Sequence, residues 1–425
     1  MTERLTTNQI RGFWAAWAGW ALDGMDSFLY ALVLVPALRD LLPRSGIAAT
    51  QANIGYYGGV LFAIFLLGWG FAFLWGPLAD RFGRVRTLVL TIVCYSLFTF
   101  LGSAAANVWQ LAAFRFLAGI GIGGEWTIGG VFVAEEWPES RRHKGAAWMH
   151  TGYYFGTFLA AIVNYTVGAH YGWRAVFAVG GTPALLVAFI RYGVRESKRW
   201  EHRAARLEDR WTARDAFFAL FSAEYRTRTL VNAGLLFISM VGLWAGSAYV
   251  PSSVTYLAGR EGFTAADAAR LASWATMLLS AGTILGCLML PPLAERLGRR
   301  GALAFYYLLM FLFIALGFGW VFYRTSNALP WFMTCLFFLG IGGANFSVYT
   351  LWLPEQYRTE CRGSAFAFAT SFGRFLAAGI TFLVGAGVAR MHTIGTPVAL
   401  TSIAFLVGLA LLPLAVETKG KELPA

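Results

Sequence analysis

The sequence predicts an all-α membrane protein, with twelve transmembrane helices in two pseudo-symmetric six-helix bundles. Three observations predict it. Of 425 residues, 58% are hydrophobic and 13% charged, with a mean hydropathy of +0.58, a balance outside that of soluble domains. The turn Gly76-Pro-Leu-Ala-Asp80-Arg81-Phe-Gly83-Arg84-Val-Arg86 closes one apolar stretch and returns as Pro291-Pro-Leu-Ala-Glu295-Arg296-Leu-Gly298-Arg299-Arg300 after another. Basic residues also alternate between loops: of the 34 Lys and Arg, 25 fall on the side of both termini, 7 on the other side, and Arg115 and Arg374 within spans.

A span needs ~20 apolar residues to cross ~30 Å of hydrocarbon. On that measure the pattern places spans near 13–38, 54–79, 86–106, 109–134, 146–168, 175–194, 230–257, 268–293, 302–323, 329–353, 364–388 and 394–415. The first apolar stretch is too long for a signal-peptide core and is read as a retained span. Residues 1–194 form the first bundle, 195–229 a charged cytoplasmic connector, and 230–425 the second bundle. Within the connector, Glu201 to Arg214 reads either as an amphipathic helix on the membrane face or as a solvated tether. The basic bias puts both termini in the cytoplasm. Ten basic residues lie between Arg191 and Arg228, so the net charge of +12 is mostly topogenic and gives no support to nucleic-acid binding.

The halves echo each other further. Span four carries Gly119-Ile-Gly121-Ile-Gly123-Gly124 and span ten Gly340-Ile-Gly342-Gly343, and each runs on to a cytoplasmic acid, Glu135 or Glu136 and Glu355. The glycines read as close helix packing. A repeated unit of this size predicts two bundles rocking about a central site. At the cytoplasmic face Gly76, Asp80, Arg81, Gly83, Arg84 and Arg86 meet Glu135, Glu136 and Arg141, while Glu295, Arg296 and Arg299 meet Glu355 and Arg362, as a conformational latch. A plain topogenic loop is the alternative.

Charges deep in a span are costly unless paired or facing water. Asp23, Asp26, Arg115, Glu125 and Arg374 are the candidates. At ~1.5 Å per residue, Asp26 and Arg115 both lie roughly 20 Å above the inner face, so a proton-coupling pair is expected, with a fixed structural ion pair as the alternative. Asp23 is either a second proton site or a helix anchor. Glu125 is either the partner of Asn345 or a tyrosine, or a satisfied structural acid. Arg374 reaches the midplane with no acid of its own half at that depth. Its counter-ion is then either a carboxylate substrate, clamped by the guanidinium, or Asp23 or Asp26 across the halves. Tyr153, Tyr154, Trp126, Trp244, Tyr249, Asn345 and Tyr349 lie at matching depth as pocket residues.

Cys94, Cys287, Cys335 and Cys361 lack paired spacing, and the five histidines are scattered, mostly near span ends. No metal, cofactor or enzymatic constellation is implied.

The paired loop motif, with Arg115-x-x-x-Gly119-x-Gly121-x-Gly123, resembles the major facilitator superfamily over nearly the whole chain. Arg195-Glu-Ser-Lys-Arg-Trp200 and Val416-Glu-Thr-Lys-Gly-Lys421 resemble the half-ending signatures of its sugar-porter branch. Trp14-Ala-Ala-Trp17-Ala-Gly-Trp20-Ala-Leu-Asp23-Gly-Met-Asp26, with Gly-Gly-Glu125, is similar to the sialate and lactate/pyruvate proton symporters and to the aromatic-acid symporters. That resemblance implies proton coupling at the span-one aspartates and carboxylate substrates. Span seven, Leu243-Trp-Ala-Gly-Ser-Ala-Tyr249, lacks the paired glutamines of sugar porters, and Pro291 replaces the first loop glycine in the second copy.

The expectation is an inner-membrane, proton-coupled symporter of a small organic anion, a monocarboxylate such as lactate or pyruvate, working as a monomer. Its partners are the anion, protons and the lipid bilayer. The rivals are a proton-linked sugar or polyol porter, a multidrug exporter and, in a different class, a membrane sensor with a transporter fold.

Overall fold

The computed structural model describes residues 5–182, 193–197, 200–201, 212–242 and 249–424. Every regular element among them is helical. The first half comprises α1 (Thr7–Arg44), α2 (Gln51–Gly70), α3 (Trp75–Phe82), α4 (Arg84–Gly102), α5 (Val108–Glu136), α6 (Glu139–Val163) and α7 (Ala169–Val179). After the short connector helix α8 (Ala213–Ala219) come α9 (Arg226–Val241), α10 (Val250–Arg260), α11 (Ala265–Gly319), α12 (Ala328–Gly343), α13 (Asn345–Trp352), α14 (Arg362–Met391), α15 (Gly395–Leu400) and α16 (Ile403–Leu411). Six helical stretches among the described residues are long and apolar enough to cross a membrane.

Side-chain caps set many of the starts. Thr6 and Gln9 form a reciprocal capping box before α1, Thr50 caps α2, Asn107 caps α5 and Thr264 caps α11. Each supplies an oxygen to a backbone N–H left bare by the first turn.

The expected spans differ from these helices in regular ways. The stretches 268–293 and 302–323 are two helices within the range given as α11, joined at Gly298, which leaves helical geometry at φ 75°, and the second ends at Gly319 before a 3-10 turn over Val321–Tyr323. The counterpart of Gly298 is Gly83, at φ 108°, which joins α3 to α4. Both are left-handed positions that glycine adopts without strain. The stretch 54–79 is α2, a 3-10 turn and the start of α3, and 329–353 breaks at Ala344 between α12 and α13. Span five begins sooner than expected, at Glu139, and ends in a π-helical segment over 164–168. The stretches 183–192 and 202–211, and with them the far part of span six and most of the expected amphipathic segment, lie outside the described residues, as does Trp244.

Glycines let the helices touch backbone to backbone. A Cβ on Gly156 would stand 1.9 Å from the carbonyl oxygen of Ala21, and one on Gly340 2.2 Å from that of Leu279. These contacts, α1 on α6 and α11 on α12, repeat one packing device in both halves.

Candidate functional site

The two halves close on each other at the end that carries the paired loop motif. Arg84 donates to both oxygens of Glu135, at 3.3 Å from Nε and 2.9 Å from Nη2, and from Nη1 to Asp80 at 2.7 Å. Arg362 of the other half reaches the same Glu135 at 2.8 Å, and Ser197 Oγ donates to it at 2.6 Å. Asp80 also accepts from the backbone N–H groups of Gly363 at 3.1 Å and Ser364 at 2.8 Å, and from the Ser364 hydroxyl at 2.7 Å. Its carboxylate thus sits on the positive end of α14, where an anion is stabilised.

The second half repeats the arrangement with looser parts. Arg299 donates to both oxygens of Glu355, at 3.0 and 2.7 Å, and Thr418 Oγ1 donates to the same acid. The cross-half cation is Arg142, 3.9 Å away. Glu295 does not cap a helix as Asp80 does; it meets His143 Nε2 at 2.7 Å. Arg142, which the sequence did not single out, supplies the guanidinium in place of the Arg362 expected beside Glu355, and its Nε donates to the carbonyl of Ala134. Arg81 and Arg296 are exposed.

Glu196 and Glu417 complete the layer, each over the helix that follows a left-handed glycine. Glu196 accepts from the backbone of Arg84, Val85 and Arg86 at 2.8–3.1 Å, and Glu417 from Arg299 and Arg300 at 3.0 and 3.1 Å. Burial leaves Glu196 above the usual carboxylate range in spite of its three backbone donors. Glu417 feels the same push from burial, but four backbone donors hold it below that range. The two acids lie in the half-ending motifs read from the sequence, which did not disclose that they are helix caps.

At mid-depth, Asp26 and Arg115 form a fully buried pair at 3.2 Å. Thr99 accepts from Arg115 at 3.4 Å, and the guanidinium carbon lies 4.4 Å from the Phe65 ring and 4.6 Å from the Tyr30 ring. Asp23, also fully buried, has no hydrogen-bond partner on either oxygen among the described residues. Glu125 accepts from Thr91 at 3.4 Å through one oxygen while the other is unpartnered, and its carboxylate lies against Gly19. Arg374, 2% exposed, stands 4.4 Å over the Trp69 ring and 5.9 Å from Trp126, its Nη1 unpartnered and no carboxylate within 4.0 Å among the described residues.

Trp126 is fixed by Thr350 of the other half at 2.8 Å and stacks on Trp20, with centroids 5.8 Å apart. Tyr153 packs on Trp20 at 4.8 Å and Tyr154 on His150 at 6.1 Å. Both tyrosines keep some accessible surface. Asn345 donates to the Gly342 carbonyl at 2.9 Å and leaves its own oxygen bare. Tyr349 is placed elsewhere, inside the second half, bonded to Tyr307 at 2.7 Å and Ser239 at 3.1 Å. His150, which the sequence reading set aside with the scattered histidines, is at the centre of this cluster. No single-residue signal marks it, since its depth follows only from α6 starting at Glu139.

The family model described as Major Facilitator Superfamily matches residues 16–381. A probable 4-methylmuconolactone transporter of Cupriavidus pinatubonensis is 30% identical, covering 97% of this chain and 91% of that protein. The sialic acid transporter NanX of Escherichia coli is 26% identical over 85% of this chain and 83% of its own length. Among solved structures, the proton:xylose symporter XylE aligns with a TM-score of 0.78 at 19% identity, covering 98% of each chain, a likeness of fold.

Proposed function

Because the chain belongs to the major facilitator superfamily, we propose that it is a proton-coupled symporter moving a small organic anion by alternating access. In this reading twelve spans in two six-helix bundles, residues 1–194 and 230–425 about a cytoplasmic connector, rock around the central cluster. The protein lies in the inner membrane with both termini cytoplasmic and works as a monomer. The carrying observation is Arg374, a buried guanidinium resting on an indole face, its Nη1 unpartnered and no carboxylate in ion-pair range among the described residues. A carboxylate arriving there supplies the missing charge-assisted hydrogen bonds. Asp26 carries the proton, and Arg115 stands 3.2 Å from it as the fixed opposite charge. The proton on Asp26 and the anion at Arg374 cancel, so the loaded site carries the same net charge as the empty one and crosses between the two states without an added charge. The transporters of a muconolactone and of sialic acid among the relatives act on organic acids, which supports a carboxylate. The cargo in this reading is a monocarboxylate such as lactate or pyruvate.

The test is uptake of labelled lactate, pyruvate, 4-methylmuconolactone, sialate and xylose into proteoliposomes under an inward proton gradient. Gradient-driven uptake of at least one carboxylate is expected, falling roughly tenfold to a hundredfold in Arg374→Ala, as the loss of hydrogen bonds to a charged group implies. Asp26→Asn is expected to lose accumulation while keeping exchange of substrate across the membrane. Uptake of xylose alone, or carboxylate uptake indifferent to Arg374, would sink the reading.

A further inference from the structure

We propose that His150 is a second polar pole of the central site, taking a hydrogen-bonding group at the far end of a planar, unsaturated acid whose carboxylate sits on Arg374. The proposal rests on the carboxylate reading above and narrows it. His150 is 3% exposed, makes no hydrogen bond among the described residues, and its Nδ1 is fully enclosed. An imidazole has a donor and an acceptor to satisfy, and a buried polar group left unsatisfied in a native structure calls for an explanation. A histidine serving only as packing would cost more than a phenylalanine of nearly the same shape.

The surroundings supply one. Trp126 stands between the two poles, 5.9 Å from the Arg374 guanidinium carbon and 5.7 Å from the His150 ring. Its own N–H is engaged by Thr350, so what it offers a ligand is a fixed flat wall. Trp20 lies 5.9 Å from His150 on one side, and Phe346 of the other half lies parallel to the imidazole, 8° off at 6.4 Å. Tyr154, which keeps some accessible surface, is 6.1 Å from the same ring. His150 is eleven residues into α6 and Arg374 twelve into α14. Both helices start at the cytoplasmic end, so the two poles are level to within ~2 Å of rise. A conjugated acid lying along the Trp126 ring reaches from one to the other, with π-faces offered on both sides. A three-carbon acid held at Arg374 leaves His150 unsatisfied.

The experiment compares benzoate with 4-hydroxybenzoate, which differ only in a hydrogen-bonding group opposite the carboxylate, in proteoliposomes under an inward proton gradient. The wild type is expected to favour 4-hydroxybenzoate by about three- to tenfold in KM, the scale of one neutral hydrogen bond. His150→Phe, which keeps a flat ring against Phe346, is expected to bring the ratio of the two KM values to about one. His150→Gln, which keeps a donor and an acceptor, retains part of it. A purely structural role would shift both KM values together and leave the ratio alone, and that result would overturn the proposal. A wild type that carries either acid in an Arg374-dependent way without preferring the hydroxylated one would also overturn it, while leaving the proposed function standing. Acid transport that ignores Arg374, or none of any carboxylate, would remove the proposed function and this inference with it.

Discussion

At Gly76 the two halves touch with no side chain between them. A Cβ there would lie 2.6 Å from the carbonyl oxygen of Gly363 and 2.7 Å from both the Ser364 Cα and the Ala367 Cβ. Two of those atoms are backbone, which cannot rotate away, so Gly76→Ala has to part α3 from α14. The expected result is a loosened cytoplasmic seal. Cys361, 1% exposed just before α14, reports it: in a chain whose other three cysteines are serine, maleimide should label Cys361 several-fold faster in Gly76→Ala, and an unchanged rate would show that the contact yields without opening. Single residues were legible in the sequence where depth alone locates them. Counting rises from the two membrane faces put Asp26 level with Arg115, and the structure sets their charged atoms 3.2 Å apart. Counting fails where helical phase decides. Arg142 rather than Arg141 turns toward Glu355, because α6 begins at Glu139, ahead of any apolar signal. Tyr349, on a helix whose apolar character is nearly uniform, gives no sign of which way it turns, and it faces Tyr307 within its own half.

Between elements, the short turns depend on distant acids. The helices resuming after Gly83 and Gly298 are capped not by their own residues but by Glu196 and Glu417, more than a hundred positions along the chain. Hydropathy finds the spans and misses such caps, since a cap borrowed from the end of the bundle leaves no local pattern. The two caps differ in electrostatic balance. Glu417 is held below the usual carboxylate range, so its ionised form is favoured by folding; the stability it contributes is present at neutral pH and is lost as pH falls through that lowered value. Glu417→Gln should therefore lower the thermal stability of the detergent-solubilised protein at neutral pH by about 1 kcal/mol, the usual worth of a helix cap. The gap to the wild type should close below the ordinary glutamate value of about 4. Glu196 is raised instead, so folding favours its protonated form, and Glu196→Gln should cost less at neutral pH. Equal losses for the two variants at neutral pH, with no closing of the Glu417→Gln gap in acid, would contradict this assignment.

Across the whole molecule the cytoplasmic seal is duplicated but not evenly. Glu135 holds a guanidinium from each half, Arg84 at 2.9 Å and Arg362 at 2.8 Å, with no exposed side-chain surface on any of the three. Glu355 holds Arg299 of its own half at 2.7 Å, while the partner across the seam, Arg142, is 3.9 Å away. The repeated motif led to Arg362 beside Glu295 and Glu355, whereas Arg362 sits on Glu135 and Glu295 meets His143; which half's guanidinium each acid takes depends on how the bundles meet. Removing one partner of a buried ionic cluster costs about 3–5 kcal/mol, and a preference for the closed state built on it is lost in proportion, tenfold in population for each ~1.4 kcal/mol. Glu135→Gln leaves two buried guanidinium groups facing a neutral amide at the seam, so relief comes from parting the halves and hydrating both. Glu355→Gln leaves Arg299 short of a partner within one half, which opening of the seam does little to relieve. Spin labels on the cytoplasmic ends of the two bundles, read by pulsed electron resonance, should therefore show a large shift toward long distances in Glu135→Gln and a smaller one in Glu355→Gln. Equal shifts would mean that the two clusters share the seal evenly, whatever their geometry. With Arg374 and Asp26 untouched, Glu135→Gln should still bind substrate, and its defect should fall on the rate of turnover, because what it loses is the return to the cytoplasm-closed state.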